Sequence, residues 1–261
     1  MISIVIPVYN ERENIRSLLE ELTQAAETVP ISEIIYVDDA SNDGTFNILK
    51  EVLPDFPLLR ALQHRKNSGQ SAALWTGIKA ASNSVIVTLD GDGQNDPKDI
   101  KKLYDMHIRY AEKMPRSMVI GEREKRQDSW IKRVSSRFAN AVRSWALSDH
   151  TKDTGCSLKL FKRSDYLNLP YFDHMHRYLP ALMMRDGVHV MHAGVSHRPR
   201  TAGVSKYGTL DRLFAGIYDL LGVVWLLKRG DRQFDTHEEL GALVSISNQK
   251  ESDNVRTANF S

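Results

Sequence analysis

The sequence of 261 residues holds one cysteine, Cys156, so no disulfide framework forms within the chain, and that usage fits a reducing compartment. It has no excess of either charge. The 35 Lys+Arg stand against 33 Asp+Glu, and no global field selects nucleic acid as a partner. Long apolar runs are missing too: none reaches the roughly 18–20 uninterrupted residues of a membrane-spanning helix. The start, Met1-Ile2-Ser3-Ile4-Val5-Ile6-Pro7, lacks the basic head and long apolar centre of a secretion signal. There is no internal repeat or low-complexity block. His174, His176, His189, His192 and His197 match no common zinc-ligand spacing. What the chain does have is 41% hydrophobic residues, enough to build a core.

Against those absences stands Val85-Ile86-Val87-Thr88-Leu89-Asp90-Gly91-Asp92-Gly93-Gln94. A β-branched run bounded by Asn83-Ser84 and Gly91 reads as a buried strand. It ends in two acids with a glycine between them. Two carboxylates and the Gln94 amide turned toward one point are hard oxygen donors. They suit Mg2+ or Mn2+ when a phosphorylated substrate supplies further oxygens. A plain polar turn after a strand uses the same residue types, so this stretch alone leaves both readings open. A calcium loop is excluded, because Asn95 stands where glycine is needed and Lys101 where glutamate is needed.

Strand and helix patterns alternate around that stretch. Residues 2–8 form an apolar strand, followed by Asn10 as a cap for a helix carrying Ile15, Leu18, Leu19 and Leu22. Strands at 32–37 and 58–63 each lead through a polar cluster into a helix, the second over 71–81. Residues 97–109 read as a helix and 117–121 as a strand. Trp130, Val134, Phe138, Ala141 and Val142 recur at helical spacing beside Lys132, Arg133, Arg137 and Arg143. Further on, 151–163 alternate as a strand after a turn, 178–184 as a helix and 188–195 as a strand. Then comes a basic loop, 197–208, with glycines and hydroxyls, the composition of a phosphate clamp. The alternation predicts an α/β, Rossmann-like single domain whose mostly parallel central sheet is flanked by helices. Ligands bind such sheets at the carboxyl ends of the strands. Residues 9–11, 38–39, 67–70 and 90–94 are therefore expected in one crevice.

Residues 213–227 are apolar apart from Asp219 and end in Lys228-Arg229. Fifteen residues make about 22 Å of helix, short of a bilayer core of about 30 Å. Trp225 and the basic pair suit a helix lying in a membrane interface; a core-packing helix shows the same pattern. Residues 230–261 read as a polar, disordered tail. The expected boundaries are 1–212, 213–229 and 230–261.

Four motifs now stand in order: Pro7-Val8-Tyr9-Asn10-Glu11, Val37-Asp38-Asp39-Ala40-Ser41-Asn42-Asp43-Gly44-Thr45, Asn67-Ser68-Gly69-Gln70 and Asp90-Gly91-Asp92-Gly93-Gln94. They resemble glycosyltransferase family 2, whose fold is GT-A, over roughly residues 1–228. Gly121-Glu122-Arg123, Arg137-Phe138-Ala139-Asn140, Asp153-Thr154-Gly155-Cys156 and Arg200-Thr201-Ala202-Gly203-Val204-Ser205-Lys206-Tyr207 are similar to its polyprenyl-phosphate branch. The resemblance implies that Pro7, Tyr9, Asn10, Glu11, Asp38, Asp39, Asn67 and Gly69 hold the nucleotide of a GDP- or UDP-sugar. It implies Mg2+ or Mn2+ on the diphosphate at Asp90, Asp92 and Gln94. Arg123, Arg137, Arg200, Ser205 and Lys206 would gather the phosphate of a polyprenyl acceptor, at the cytoplasmic face of a membrane. Two departures follow. Many bacterial members carry two spanning helices after the catalytic domain, where this sequence has only 213–227, which leaves room for a membrane protein partner. Gly91 and Gly93 stand where many relatives have alanine or a hydrophobe, and are expected to loosen the loop.

The implied chemistry fits the residues. A phosphate acceptor is already anionic near neutral pH, with a second pKa of about 6. It needs cations to hold it beside another anion rather than a general base. Asp153 is the one acid placed to act as a base, and it equally suits a turn. In-line attack would invert the anomeric centre. Two alternatives stay open: transfer to a saccharide hydroxyl, which needs a base, and a silent nucleotide-binding scaffold.

Overall fold

Strand β1 (Ile2–Val8) shows why the sheet is covered on both faces. Ile2, Ile4, Ile6 and Val8 enter one apolar cluster and Val5 enters a second. A strand has period two, so an uninterrupted apolar strand must bury both sets, each large side chain contributing roughly 1.5–3 kcal/mol. On the first face lie α1 (Ile15–Ala25), α2 (Thr45–Val52) and α4 (Ile100–Tyr110), presenting Leu18, Leu22, Leu49, Ile100 and Leu103. On the second lies α3 (Gln70–Ala80), with Ala73, Leu74 and Ile78. A Cβ on Gly77 would come 2.5 Å from Val5 Cγ1, so α3 approaches β1 closely because that residue is glycine.

The computed structural model describes residues 1–123, 147, 151, 153, 155–199 and 209–229. Strands β2 (Ile31–Asp38), β3 (Leu59–Gln63), β4 (Val85–Thr88), β5 (Ser117–Arg123), β6 (Lys159–Lys162) and β7 (His189–Val195) complete a seven-stranded sheet in the order β3-β2-β1-β4-β6-β5-β7. β1 pairs in parallel with β2 and β4, β2 with β3, and β5 with β7. Only β6 runs against its neighbours, antiparallel to both β4 and β5. The chain steps outward from β1 to β3, then returns to lay β4 on the other side of β1. That reversal opens a crevice at the carboxyl ends of β1 and β4.

The expected α/β architecture is present, with three corrections. The strand read over 151–163 is only Lys159–Lys162. Arg163 instead starts α5 (Arg163–Leu167), its guanidinium donating to the carbonyls of Ile78 and Lys79 at 2.9 and 2.7 Å. Strand β5 runs on to Arg123, beyond the expected end at 121. After α6 (Leu179–Arg185), the last helix, α7 (Thr209–Lys228), has 20 residues rather than 15, about 30 Å. Length therefore does not keep it from spanning a bilayer; polarity does. No described helix is both long and apolar enough to cross a membrane. The helix expected around Trp130 and the tail at 230–261 lie outside the described residues.

Candidate active site

The four motif loops meet at the carboxyl edge of the sheet and are tied together by hydrogen bonds. After β1, Asn10 takes a φ of +56°. Its N–H donates to Ser41 Oγ at 2.8 Å, and its Oδ1 accepts from Asn42 N–H at 2.9 Å. Asn10 therefore clasps the loop after β2 and does not cap α1, which begins only after a 3-10 turn at Arg12–Asn14. Glu11 N–H donates to Thr45 Oγ1 at 3.0 Å. Pro7 and Tyr9 are half-buried beside them.

Asp38 is wholly buried and accepts from Ser41 N–H at 3.1 Å and Gln63 Nε2 at 3.0 Å. Asp39, 4% exposed, accepts the N–H groups of Ser68 at 2.9 Å and Gly69 at 2.7 Å. His64 Nδ1 lies 2.7 Å from the same carboxylate, and His64 Nε2 meets Thr76 Oγ1 at 2.9 Å. Asn67 Nδ2 donates to Asp39 O at 3.2 Å. Charge-assisted bonds of this kind are short and strong, so these two acids fix the shape of the crevice wall.

Gln70, the first residue of α3, donates from Nε2 to Asp90 Oδ1 at 2.8 Å and so joins the third motif to the fourth. Asp90 N–H donates to Ser157 Oγ at 3.1 Å, and Ser157 Oγ donates to Asn95 Oδ1 at 2.6 Å. Asp92, 7% exposed, accepts from Gln94 N–H at 3.1 Å. Gly91 does not loosen this loop. It is buried, and a Cβ there would stand 2.4 Å from Val8 Cγ1, so the glycine lets the loop settle onto the end of β1. Gly93, at φ +73°, makes the turn.

Arg198 also holds the loop. Its N–H donates to Gln94 O at 3.0 Å, and its guanidinium meets Glu21 and Asp96, each at 2.7 Å. Burial lowers the Arg198 pKa, but the bonds and charges of Glu21 and Asp96 outweigh it and raise it above the usual value. The first arginine of the basic loop is thus an anchor. Neither Arg198 nor Ser157 was singled out by the sequence: Ser157 and Asn95 are 62 positions apart and meet only in the fold.

Of the residues expected at an acceptor phosphate, Arg123 is described. Its Nε and an Nη bond both oxygens of Asp153 at 2.6 and 2.7 Å. Arg137, Arg200, Ser205 and Lys206 lie outside the described residues. Beside Asp90 a cavity of about 420 Å³ opens, lined in part by Gln70, Lys159, Tyr166, His176 and Arg177. His174 and His176 are engaged separately, with Asp219 at 3.0 Å and Ser71 at 2.7 Å. Helix α7 buries Val223 against the second apolar cluster, with Leu220, Val224 and Leu227 partly buried there. Tyr218, Leu221 and Trp225 stay exposed, at 82%, 64% and 59%.

Residues 3–181 match the family described as Glycosyl transferase family 2. The chain is 34% identical over 87% of its length to the dodecaprenyl-phosphate galacturonate synthase of Rhizobium johnstonii, and spans 67% of that protein. It is 31% identical over 85% of its length to the undecaprenyl-phosphate 4-deoxy-4-formamido-L-arabinose transferase of Aeromonas hydrophila, again 67% of that protein. The chain thus spans about two thirds of these relatives. Among solved structures, glucosyl-3-phosphoglycerate synthase from Mycobacterium tuberculosis, in complex with Mn2+ and UDP, superposes with a TM-score of 0.65. That match has 16% identity and covers 89% of this chain and 80% of the other. Mannosyl-3-phosphoglycerate synthase from Rubrobacter xylanophilus gives 0.63 at 12% identity, over 92% and 78%. With its motif loops gathered at one edge and the match running through β1 to α6, the chain belongs to glycosyltransferase family 2 and is a GT-A glycosyltransferase of the polyprenyl-phosphate branch.

Proposed function

We propose that the chain moves a sugar from a GDP- or UDP-sugar to a polyprenyl phosphate, with inversion at the anomeric carbon. The observation that carries this is the bonding of four motif loops to one another around Asp90 and Asp92, at the crevice between β1 and β4. Asp90, Asp92 and the Gln94 amide would hold Mg2+ or Mn2+. Their donor set is all hard oxygen. Among the described residues no group of three His, Cys, Asp or Glu is placed to hold a metal unaided. That suits an ion whose shell is completed by substrate phosphates. When bound, such an ion stabilises the departing diphosphate.

The remaining work falls to the chain. Asp38 and Asp39 hold the loops on which base and ribose rest, with Pro7, Tyr9, Asn10, Glu11, Asn67 and Gly69 around them. Arg123, aimed by Asp153, positions the acceptor phosphate together with Arg137, Arg200, Ser205 and Lys206. A phosphate nucleophile needs no proton removed. Arg123 engages both Asp153 oxygens, which weighs against a base and so against a hydroxyl acceptor. The exposed stripe of Tyr218, Leu221 and Trp225, beside Lys228 and Arg229, suits the headgroup boundary of a bilayer. The enzyme is then peripheral, on the cytoplasmic face.

The test is to incubate the protein with Mn2+ or Mg2+, a panel of GDP- and UDP-sugars and a short polyprenyl phosphate, and to seek glycosylated lipid by mass spectrometry. A product with one donor supports the proposal; transfer only to a soluble saccharide overturns it. Asp92→Ala is expected to cut turnover at least about a thousandfold, or about 4 kcal/mol, with the melting temperature unchanged. Retained configuration in the product would rule out in-line inversion.

A further inference from the structure

The cavity beside Asp90 carries hydrogen-bond donors that no described residue engages. Lys159 lies on β6 and is 6% exposed. Its ammonium has three donors, yet among the described residues it bonds only the carbonyl of Cys156. Asp90 and Asp153 act on it only from beyond ion-pair distance, and burial pushes its pKa down. A buried cation without a counter-ion costs a fold several kcal/mol. Tyr166 is wholly buried and stacked on Phe161 at 5.3 Å, and its hydroxyl has no partner among the described residues. Arg177 lines the same cavity, and its guanidinium makes no hydrogen bond or ion pair with any described residue.

His176 adds a neutral donor. Ser71 Oγ accepts the His176 backbone N–H at 3.4 Å and lies 2.7 Å from Nδ1, the one described acceptor within reach of its hydrogen. That leaves the proton of the neutral ring on Nε2. Burial, then the charges of Lys159, Arg177 and His174, drive the ring pKa down to about 3, so it stays neutral near pH 7. Of the cavity's lining side chains, only Asp90 is an acid, and it belongs to the metal pair.

We infer that Lys159, Tyr166, His176 and Arg177 form a pocket for a substrate oxyanion, next to the diphosphate site and of a size, about 420 Å³, within the range of small-molecule sites. This rests on the function proposed above and narrows it. Two substrate groups share that chemistry: the carboxylate of an acidic (uronic) sugar on the donor, and the phosphate of the acceptor. Closeness to Asp90 favours the sugar. Neutral hexoses leave the cations unpaired, so the pocket discriminates against them.

The experiment measures binding by the full chain with Mn2+ present. UDP-glucuronate is compared with UDP-glucose, GDP-mannuronate with GDP-mannose, and farnesyl phosphate is measured alone, for the native sequence and Arg177→Gln. The expected result is at least tenfold preference for one uronate over its neutral partner, lost in Arg177→Gln while UDP or GDP affinity is unchanged. If Arg177→Gln instead weakens farnesyl phosphate tenfold, the pocket stands and its occupant is the acceptor phosphate. If Arg177→Gln alters neither, the inference is overturned. A second variant needs no substrate. Lys159→Met should raise the melting temperature of the ligand-free protein, because it removes a poorly paired buried charge; a fall would make Lys159 a structural group. If the native chain binds no nucleotide and no prenyl phosphate, the proposed function fails, and Lys159→Met still decides the pocket.

Discussion

The loops after β1 to β3 and the cavity beside Asp90 treat charge in opposite ways. On the β1–β3 side, acids meet donors from the protein itself: Asp38 and Asp43 accept backbone N–H groups from their own loop and Asp39 from the neighbouring one. Burial alone would push Asp43 up, but its bonds from Thr45 and Arg12 outweigh it and hold its carboxyl below the usual range. Around the cavity, the Lys159 ammonium has a single described partner, a carbonyl, and the Arg177 guanidinium and the Tyr166 hydroxyl have none among the described residues. The contrast separates two ways of building a site. The nucleotide side is finished before a ligand arrives, so binding there need not reorganise it. The cation side is completed only by an incoming anion.

The first way to break this comparison is at its firmest point. Asp39→Asn removes the charge from bonds to Ser68 and Gly69, and should cost about 2–4 kcal/mol in urea denaturation with an unchanged slope. A loss under about 0.5 kcal/mol would mean the loops are not held by that acid. Next comes Gly91→Ala, which forces a Cβ against Val8 and should cost about 1–3 kcal/mol. Val8→Ala in the same chain should return part of it; no recovery would place the strain elsewhere.

On the other side, pH is the probe. The unfolded chain protonates His176 below about 6.5, whereas the folded ring resists until about 3. Stability contributed by the neutral ring is therefore full above 6.5 and falls as pH drops through that window. His176→Gln should make the fall shallower by up to one proton, read from denaturation curves at several pH values. An unchanged slope would put the ring in water. The smallest effect is a control: Arg16 and Asp55 meet at 3.3 Å with about half of each side chain exposed, and Arg16→Ala should cost less than about 0.5 kcal/mol.

Much of this was legible because it is written in local pattern. Apolar strands followed by polar clusters named β1, β2 and β4, and the two acids after β4 marked a loop at the carboxyl edge of the sheet. Direction and distance were not local. Residues 159–162 alternate like any strand, and nothing in them states that they run against β4 and β5. The resemblance implied Asp38 and Asp39 as nucleotide contacts, and it carried no word of their partners within the chain. Their partners, Gln63, His64 and Ser68, lie 25 to 29 positions away. Gly91 looked like slack because the side chain it makes room for, Val8, belongs to another strand. Lys159 is one polar position of an alternating stretch in the sequence, and it is buried because β6 lies between β4 and β5.

The reversed strand also sets an order of events during synthesis. β1 to β4 pair through short crossovers and can come together while the rest of the chain is still being made. The outer edge of β4 stays open until residues 159–162 have left the ribosome, more than 70 residues after β4 itself. Ser157, which fastens Asp90 and Asn95, arrives with them. The loop of Asp90 to Asn95, proposed above to hold the diphosphate, is therefore among the last parts to close.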